Sequence, residues 1–420
     1  MISKISLRNF KNFKQADLDM GKVTTLLGTN ASGKSNIRDA FRFLHGLSRG
    51  YNLAEILGQK WVDGIFQWSG IRGGTRETAF LNSKTFSLSA HFDLEEEKER
   101  FNIKYTIEVE PLYGDNIPRV IYESLSCNQE TIYESTGENS ADAFQLPVKV
   151  ITGGRYRRGH RESCVSNQPA LTQLLSKINH RRDTKGLYAQ KVITKTIAAL
   201  KQMQFFDFSP EAMKKPSIPG QTTLSDRGDN LSSVMQAICK EEIQKKKLLE
   251  WLNELTPMDA VDFEFPLQLD GKTLITLVEK NGNKVSAHSA SDGTLRFLAI
   301  ITALFQSNQA KIYFFEEIEN GIHPTRLQLL LQLMEGEARH RKIQLITTTH
   351  SPQLLRLLSK DSLDYASLVY RLPYQNHGKI KKIKDIFEQG LDSDENQDIA
   401  NLMESGWLED VVYFNDSEEN

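Results

Sequence analysis

One segment constrains the fold more than any other, a glycine loop at residues 28–35 with the pattern Gly-x4-Gly-Lys-Ser. A short and mostly apolar run, residues 23–27, precedes the loop, as a buried strand requires. After the loop, Ile37, Ala40, Phe41 and Leu44 fall on one face of a helix. Because a phosphate-binding loop lies between a strand and a helix, this order predicts an α/β fold that binds phosphate.

The residues of this loop have distinct predicted roles. Glycine lets backbone N–H groups close around phosphate oxygens. Lys34 places a positive charge on the β- and γ-phosphates, and the Ser35 hydroxyl is a ligand for Mg²⁺. Lys34 is therefore also counted as catalytic. A glycine turn with a chance lysine is the alternative, against which the flanking strand and helix argue. The predicted nucleotide-binding residues in this segment are Asn30, Ala31, Ser32, Gly33, Lys34, Ser35 and Asn36.

Two acids follow an apolar strand far downstream. Glu316 and Glu317 come directly after Ile-Tyr-Phe-Phe, at the carboxyl end of a predicted strand, where ligands bind in open α/β sheets. Glu316 is predicted to hold Mg²⁺, and Glu317 to orient the water that attacks the γ-phosphate. An exposed acidic turn is the alternative, and the glycine loop makes it the weaker one.

A second anion site is predicted at Ser291-Asp292-Gly293, which opens an apolar helix. One chain cannot easily wrap both anion sites around a single triphosphate, whereas two copies related by a twofold axis can. The motifs together therefore predict that ATP is bound between two copies and hydrolysed. For Ser291 the alternative is an ordinary helix cap.

Two further residues are candidates on less specific grounds. His350 follows the predicted strand 345–349 and could bind the γ-phosphate and respond to its loss, although a histidine at a strand end is often only structural. Gln67 lies in Ile-Phe-Gln-Trp-Ser-Gly and could be a ligand of Mg²⁺ and of the water. A plain loop glutamine beside a packed Trp68 is the equal alternative.

Composition narrows the class of protein. The net charge of −2 provides no global attraction to nucleic acid, so any such contact needs a local patch. Residues 155–161 are one candidate, with a solvated basic loop as the alternative. Three distant cysteines indicate neither a disulfide framework nor a zinc site. Without a membrane-length apolar run or a signal-peptide core, the chain is expected to be cytoplasmic and without a membrane contact.

Patterning predicts three regions in the 420 residues, with boundaries at 1–167, 168–259 and 260–420. The first combines the phosphate loop with an antiparallel β region, and the second is a helical insertion in which Asp229 is the expected cap of a helix. The third alternates helices and strands, which favours a parallel sheet covered by helices. Its elements are predicted at helix 293–307, strand 311–316, helix 324–338, strand 343–349 and helix 352–359.

The residues of these motifs resemble those of a known family. Residues 5–13 together with 28–36 resemble the start of the RecF/SMC branch of ABC-type ATPases, and residues 315–324 resemble the Walker B and D-loop of its predicted AAA ATPase group. The resemblance implies an ABC-ATPase head with a mixed or parallel core sheet, and ATP and Mg²⁺ as cofactors. It also implies roles for single residues: Glu317 as catalytic base, His350 as switch histidine, Ser291 and Gly293 acting in trans, Lys11 and Asn12 beside the adenine, and Asn320 at the dimer seam.

The role of the hydrolysis is open to more than one reading. The chain lacks the long coiled coil of chromosome-tethering relatives and resembles compact ATPase subunits of the Septu and PARIS anti-phage systems. That resemblance implies a separate effector nuclease of HNH or TOPRIM type as a partner, alongside self-association as a homodimer or higher oligomer. The alternatives are a RecF-like ATPase that binds DNA in repair, and a nucleotide-gated scaffold in which hydrolysis is a timer.

Overall fold

The computed structural model describes residues 1–96, 99–114, 117–136, 144–151, 159–178, 184–307, 310–372 and 375–390. The described chain forms two compact units. Unit 1 consists of residues 1–21, 28–203 and 367–385. Unit 2 consists of residues 22–27, 204–366 and, among the described residues, 386–390. Each unit is therefore built from segments that are far apart in the sequence.

The strands occur along the whole described chain and are short in unit 2. Their bounds are β1 (Ile2–Phe10), β2 (Phe13–Asp19), β3 (Val23–Leu27), β4 (Lys60–Val62), β5 (Ile65–Trp68), β6 (Phe86–Glu96), β7 (Glu99–Tyr113), β8 (Ile117–Cys127), β9 (Glu130–Ser135), β10 (Gln145–Val150), β11 (His160–Val165), β12 (Met203–Phe206), β13 (Ala260–Glu264), β14 (Thr276–Glu279), β15 (Lys284–Ser286), β16 (Ile312–Phe315), β17 (Gln344–Thr349), β18 (Ala366–Arg371) and β19 (Gly378–Lys382).

The helices are concentrated between these strands. Their bounds are α1 (Lys34–Ser48), α2 (Leu53–Leu57), α3 (Ala170–Lys177), α4 (Thr184–Lys201), α5 (Pro210–Met213), α6 (Leu231–Ile238), α7 (Glu242–Leu255), α8 (Asp292–Phe305), α9 (Pro324–His340), α10 (Lys360–Leu363) and α11 (Ile383–Gly390). A 3-10 helix covers Pro352–Leu357. None of the helices in the described ranges combines the length and the apolar character that a membrane crossing needs.

Unit 1 is dominated by an eight-stranded sheet with the order β11-β10-β9-β8-β7-β6-β1-β2. Alternate residues of β6, from Phe86 to Phe92, are buried, while their neighbours are half-buried, which is the period of a strand with one face in the core. The strands β6, β7 and β8 pair antiparallel along most of their length. The antiparallel region predicted from this alternation is confirmed.

A buried carboxylate ties this sheet to a helix of unit 1. Glu123 on β8 is fully buried, and its oxygens accept hydrogen bonds from the first two backbone N–H groups of α3, at 2.6 and 2.8 Å. The hydroxyls of Tyr133 and Tyr105 donate to the same carboxylate at 2.8 and 3.1 Å. Burial raises the pKa of Glu123, although all four donors favour the charged form. The carboxylate thus supplies the acceptors that the exposed donors of a helix start require.

A buried histidine joins α1 to α4 in the same unit. The Nδ1 of His45 lies 2.9 Å from the carbonyl oxygen of Leu200, and Arg49 donates to Nε2 at 3.1 Å. Burial, which removes water from the ring, lowers the pKa of His45 to about 4. The ring is therefore neutral at physiological pH. Its Nδ1–H donates to Leu200 of α4, and its Nε2 accepts from Arg49 at the end of α1.

Unit 2 contains the strands β12, β16, β17 and β3, hydrogen-bonded in that order. The pairs β16–β17 and β17–β3 are parallel. The aromatic rings of Phe206, Tyr313 and Phe315 stack beside this sheet, with Phe206 and Phe315 centroids 5.2 Å apart. Helices α8 and α9 bury their apolar residues in the same core. The predicted α/β fold is confirmed, as are the helices near 293–307 and 324–338 and the strands near 311–316 and 343–349.

Two local predictions are wrong. Asp229 does not cap α6, because its carboxylate accepts a hydrogen bond from the Ser225 hydroxyl and the cap position falls on Asn230. The segment predicted as a helix at 352–359 is a 3-10 helix that ends at Leu357, because Ser359 caps the next helix, α10. The predicted insertion contributes α3 and α4 to unit 1 and α5, α6 and α7 to unit 2. The three-region division stays a prediction.

Candidate functional site

The glycine loop follows β3 in the chain and leads into α1. Ala31 and Gly33 have φ angles of 65° and 120°, in the range that favours glycine. A Cβ on Gly28 would lie 2.2 Å from the carbonyl oxygen of Val369, so no side chain fits there. A turn in which residues of positive and negative φ succeed one another gathers backbone N–H groups into an anion-binding concavity. The loop therefore has the backbone that a phosphate group requires.

Lys34 is the first residue of α1 and is held inside this loop. Its Nζ donates to the carbonyl oxygens of Gly28 and Thr29 at 2.5 and 3.0 Å. The residue is 7% exposed, so its charge is directed at the loop and not at solvent. A helix start and a buried ammonium group at the same loop both favour a bound anion.

Asn12, in the turn between β1 and β2, connects three parts of unit 1. Its Nδ2 donates to the carbonyl oxygen of Ser32 at 2.9 Å, and its Oδ1 accepts from Asn36 at 2.7 Å. Its carbonyl oxygen accepts from the N–H of Gly378 on β19 at 2.7 Å. The structure thus brings three of the predicted nucleotide-binding residues, Asn12, Ser32 and Asn36, into direct contact.

Lys11 forms an ion pair that the sequence did not indicate. Its Nζ lies 2.8 Å from Asp39 on α1, and both side chains are almost fully buried. Burial lowers the pKa of Lys11, against the opposing effect of Asp39. Arg72 contacts the same carboxylate at 3.0 Å and donates to Asn36 at 3.2 Å. Asp39 and Arg72 were missed because nothing in their sequence positions marks them.

A cavity of about 440 Å³ opens beside these residues in unit 1. This volume lies within the range of small-ligand and cofactor sites. Its lining mixes amides, charged groups and an aromatic ring: Lys11, Asn12, Asn36, Glu77, Phe80, Leu81, Arg371 and Asn376. Since Asn12 and Asn36 reach both the cavity and the glycine loop, a ligand with a phosphate end and a base end matches this arrangement.

The carboxyl ends of three strands lie side by side in unit 2. The register pairs Phe315 with Thr347 and Thr349 with Leu27. Residues that follow β16 and β17 in the chain therefore leave the sheet at one edge, where ligands bind in parallel sheets. The acidic pair follows β16, and His350 follows β17.

Glu317 and His350 are in contact at this edge. Oε1 of Glu317 lies 3.0 Å from Nε2 of His350, and Asn320 donates to its other oxygen. The N–H of Glu317 donates to the Thr348 hydroxyl at 3.1 Å. Glu317 has a φ of 48°, a conformation that costs free energy in a residue with a side chain and is concentrated at functional sites. The side chains of Glu317 and His350 are 42% and 31% exposed, so a ligand can reach both.

The predicted Mg²⁺ ligands are oxygen donors. Ser35 offers a hydroxyl, Glu316 a carboxylate and Gln67 an amide oxygen, and Mg²⁺ prefers such ligands with few protein groups beside phosphate oxygens. The donor chemistry therefore fits this ion. Ser35 lies in the first turn of α1, Glu316 follows β16, and Gln67 is exposed on β5. Their assignment as ligands stays a prediction.

Ser291 caps α8, and its hydroxyl accepts from the N–H of Thr294 at 3.1 Å. A Cβ on Gly293 would lie 2.4 Å from the carbonyl oxygen of Gly321, so this turn packs closely against the segment after the acidic pair. Lys214 pairs with the exposed Asp292 at 2.8 Å. Ser291 is exposed, so a ligand can reach it. Its role in binding a nucleotide stays a prediction.

The structure brings together predicted residues within each unit: Asn12, Ser32 and Asn36 in unit 1, and Glu317 with His350 in unit 2. Residues that the sequence reasoning missed are Asp39 and Arg72 in unit 1 and Thr348 in unit 2. Of the basic segment 155–161, residues 155–158 lie outside the described residues.

Comparison with known proteins gives a family and a relative of similar length. Residues 23–356 match the family described as "AAA domain, putative AbiEii toxin, Type IV TA system". An "ATP/GTP phosphatase" of Helicobacter pylori is 23% identical over 381 residues, which are 86% of this chain and 88% of that protein. The chromosome partition protein Smc of Methanocaldococcus jannaschii is 52% identical over 46 residues, 11% of this chain and 4% of its own length.

Similar solved structures include an Smc head bound to the C-winged helix domain of ScpA, with 15% identity and a TM-score of 0.49. That alignment covers 90% of this chain and 96% of the other. The Smc head domain of Thermotoga maritima has 13% identity and a TM-score of 0.43, with 91% and 98% covered.

Proposed function

The chain belongs to the AAA-domain ATPase family that its residues 23–356 match, and from this premise we propose that it binds and hydrolyses ATP. The observation that carries the proposal is the contact between Glu317 and His350 at the carboxyl edge of parallel strands. The same chain holds Lys34 inside a glycine loop that follows a neighbouring strand. The name of the Helicobacter relative, a phosphatase of ATP and GTP, supports cleavage at a triphosphate.

Each residue has a defined task in this proposal. Lys34 exchanges its loop carbonyls for the β- and γ-phosphate oxygens. Glu317 orients the attacking water and accepts its proton, and His350 binds the γ-phosphate and registers its loss. When bound by Ser35, Glu316 and Gln67, Mg²⁺ would neutralise charge on the phosphates.

The base of the nucleotide occupies the cavity of unit 1 in this proposal. Lys11 and Asn12 line that cavity, and Asn12 contacts the glycine loop through the carbonyl oxygen of Ser32. The backbone of residues 30–36 holds the phosphates. This assignment is supported by the continuity of contacts from the loop to the cavity within one unit.

Two copies of the chain share each ATP. Ser291 is exposed at the start of α8, where a helix N-terminus and a hydroxyl both favour a phosphate. We propose that Ser291 and Gly293 of one copy bind the nucleotide whose phosphates Lys34 of the other copy holds. Self-association of this kind is isologous, and each dimer holds two equivalent sites.

Complementation between two inactive variants tests this sharing. Lys34→Ala removes the phosphate ligand, and Ser291→Arg blocks the turn that acts in trans, so each variant alone is expected to release almost no phosphate from ATP. Half of the dimers in an equal mixture are mixed and have one intact site of two. The mixture should therefore recover about a quarter of the wild-type rate.

Each outcome of this experiment has a separate meaning. Recovery upon mixing supports the shared site. An absence of recovery, with both variants folded by circular dichroism, rejects the sandwich but not the hydrolysis. Wild-type protein that releases no phosphate from ATP at any concentration rejects the proposed activity.

We further propose that nucleotide state in this cytoplasmic ATPase regulates a separate effector nuclease of HNH or TOPRIM type in anti-phage defence. The family description names a putative AbiEii toxin and a Type IV TA system, which supports a function alongside a dedicated partner. Affinity purification of Glu317→Gln protein from its host, with ATP and Mg²⁺, should recover a nuclease in a fixed ratio. Recovery with DNA and repair factors instead would favour the RecF-like alternative, and the basic segment 155–161 would then be the first place to mutate.

A further inference from the structure

A carboxylate outside the proposed catalytic pair holds the segment that carries His350. Glu319 lies two residues after Glu317, and its Oε1 accepts a hydrogen bond from the Thr349 hydroxyl at 2.7 Å. The same oxygen accepts a second hydrogen bond from the backbone N–H of His350 at 2.8 Å. One oxygen of Glu319 therefore fixes the main chain at the point where His350 leaves β17.

The side chain of His350 is held by a different carboxylate. Its Nε2 lies 3.0 Å from Oε1 of Glu317, whose own N–H donates to Thr348. The turn after β16 thus contacts the segment after β17 at both the main chain and the ring. An imidazole is placed accurately only when its main chain and its ring are both held, because either hold alone leaves rotations free.

The surroundings of the other oxygen, Oε2, allow the contacts of Glu319 to be tested separately from its charge. Oε2 is buried and, among the residues that the structure describes, no group donates a hydrogen bond to it. Both observed bonds therefore depend on Oε1 alone. A glutamine has one carbonyl oxygen that can accept both of them, so Glu319→Gln keeps the observed contacts and Glu319→Ala removes them.

We propose that Glu319 is a positioning residue that sets the His350 imidazole against Glu317 through the backbone N–H of His350. The inference rests on the proposed function, since it concerns the step in which Glu317 and His350 act at the γ-phosphate. Glu319 acts through His350 and does not itself touch the nucleotide. Its removal lowers the fraction of molecules in which His350 is aligned, which affects turnover more than ATP binding.

Steady-state hydrolysis in a double-mutant cycle tests the proposal. Glu319→Ala should lower kcat about tenfold and leave KM for ATP within about twofold. Glu319→Gln should stay within about threefold of wild type. In a His350→Ala background, Glu319→Ala should have no further effect, because residues that act through one another are not additive.

Several results of the cycle would overturn the proposal. An equal loss of kcat in both backgrounds would show that Glu319 acts independently of His350. A raised KM with unchanged kcat would place it in nucleotide binding. A Glu319→Gln variant as slow as Glu319→Ala would show that the contacts through Oε1 are not the cause.

Amide hydrogen exchange gives a readout that does not depend on hydrolysis. Peptides that end just before and just after His350 isolate its amide, which should exchange slowly in nucleotide-free wild type and Glu319→Gln, and faster in Glu319→Ala. Thr349→Val is the matched control, because it removes the hydroxyl, which donates to Glu319 and accepts from the Ser351 N–H, and retains the bond from the His350 N–H to Glu319. Unchanged exchange in Glu319→Ala rejects the positioning role, whereas Glu317→Gln and His350→Ala variants with wild-type kcat would reject the proposed function instead.

Discussion

Glu123 in unit 1 and Glu317 in unit 2 are both carboxylates with several hydrogen-bond donors, but they differ in what those donors are. Glu123 is fully buried, and its donors are two backbone N–H groups and two tyrosine hydroxyls. Glu317 has a 42% exposed side chain and contacts the side chains of Asn320 and His350. Donors fixed in a core cannot exchange, whereas side chains at an exposed edge can be replaced by a ligand. The first arrangement stabilises the fold, and the second leaves the carboxylate available for chemistry.

We expect the largest effect from Glu317→Gln, which should affect ATP hydrolysis and not the stability of the fold. Glu317→Gln should lower kcat for ATP hydrolysis by about 100-fold or more, because a general base contributes roughly that factor. Its free energy of unfolding should change by less than about 0.5 kcal/mol, since the residue is half-exposed. Phosphate release and urea unfolding measure the two quantities. A large loss of stability would show that Glu317, like Glu123, mainly stabilises the fold.

The opposite pattern, a loss of stability without a change in ATP binding, is expected at Glu123. Glu123→Ala should lower the free energy of unfolding by about 3 kcal/mol, because it leaves four buried donors without their acceptor. Protein that remains folded should keep the wild-type KM for ATP. Urea unfolding monitored by circular dichroism measures the loss, with Glu123→Gln as the variant of matched size. If Glu123→Ala instead abolished ATP binding at unchanged stability, the division between the two carboxylates would not hold.

The pH dependence of stability should follow His45, another buried group of unit 1. Its folded-state pKa of about 4 lies below the ordinary value of 6.5, so the unfolded chain takes up a proton first as pH falls. Stability from this group is full above pH 6.5 and is lost as pH falls toward about 4. The loss between pH 8 and pH 5 should be about 2 kcal/mol.

Urea unfolding of wild type and His45→Asn over that range checks this contribution, because the difference between the two slopes isolates His45 from other titrating groups. A steeper loss of stability in wild type than in the variant is the expected result. If stability depended on pH equally in wild type and His45→Asn, the His45 ring would not be neutral and buried in solution. Unit 1 would then lack the fixed polar interior that distinguishes Glu123 from Glu317.

The smallest expected effect concerns an exposed ion pair between β1 and β2 of the eight-stranded sheet. Lys4 and Asp17 lie 3.0 Å apart with side chains 35% and 49% exposed. Lys4→Ala should cost about 0.5 kcal/mol or less, because solvent and salt screen such pairs. Thermal unfolding at low and high salt measures it. A cost comparable to that of Glu123→Ala would show that burial is not what distinguishes the structural carboxylate.

Predictions from sequence were most accurate where the signal is local. The glycine loop is bounded by the strand and the helix that its flanking periodicity indicates, because burial patterns and backbone conformation depend on a few adjacent residues. The order of helices and strands from residue 292 to residue 349 is likewise confirmed. The Asp229 cap was wrong because a neighbouring serine competes for its carboxylate, which no helix signal reveals.

Contacts between distant segments were beyond the sequence signal. Asp39 binds Lys11 and Arg72, and Glu319 binds the segment of His350, across separations that no periodicity encodes. Sequence motifs identify candidate site residues, but which of these residues come into contact depends on how the whole chain folds.

The α/β fold with its phosphate-type loop follows from the sequence alone, as does the identity of the carboxylates and the histidine that come after its apolar strands. Those properties come from local backbone preference and from the alternation of apolar residues. That Glu317 lies against His350, 33 residues away, and that Glu319 accepts the backbone N–H of His350 is visible only in the folded chain. The reason is the parallel register of β16 and β17, which is set by burial of both strands in one core and brings their carboxyl ends to the same edge.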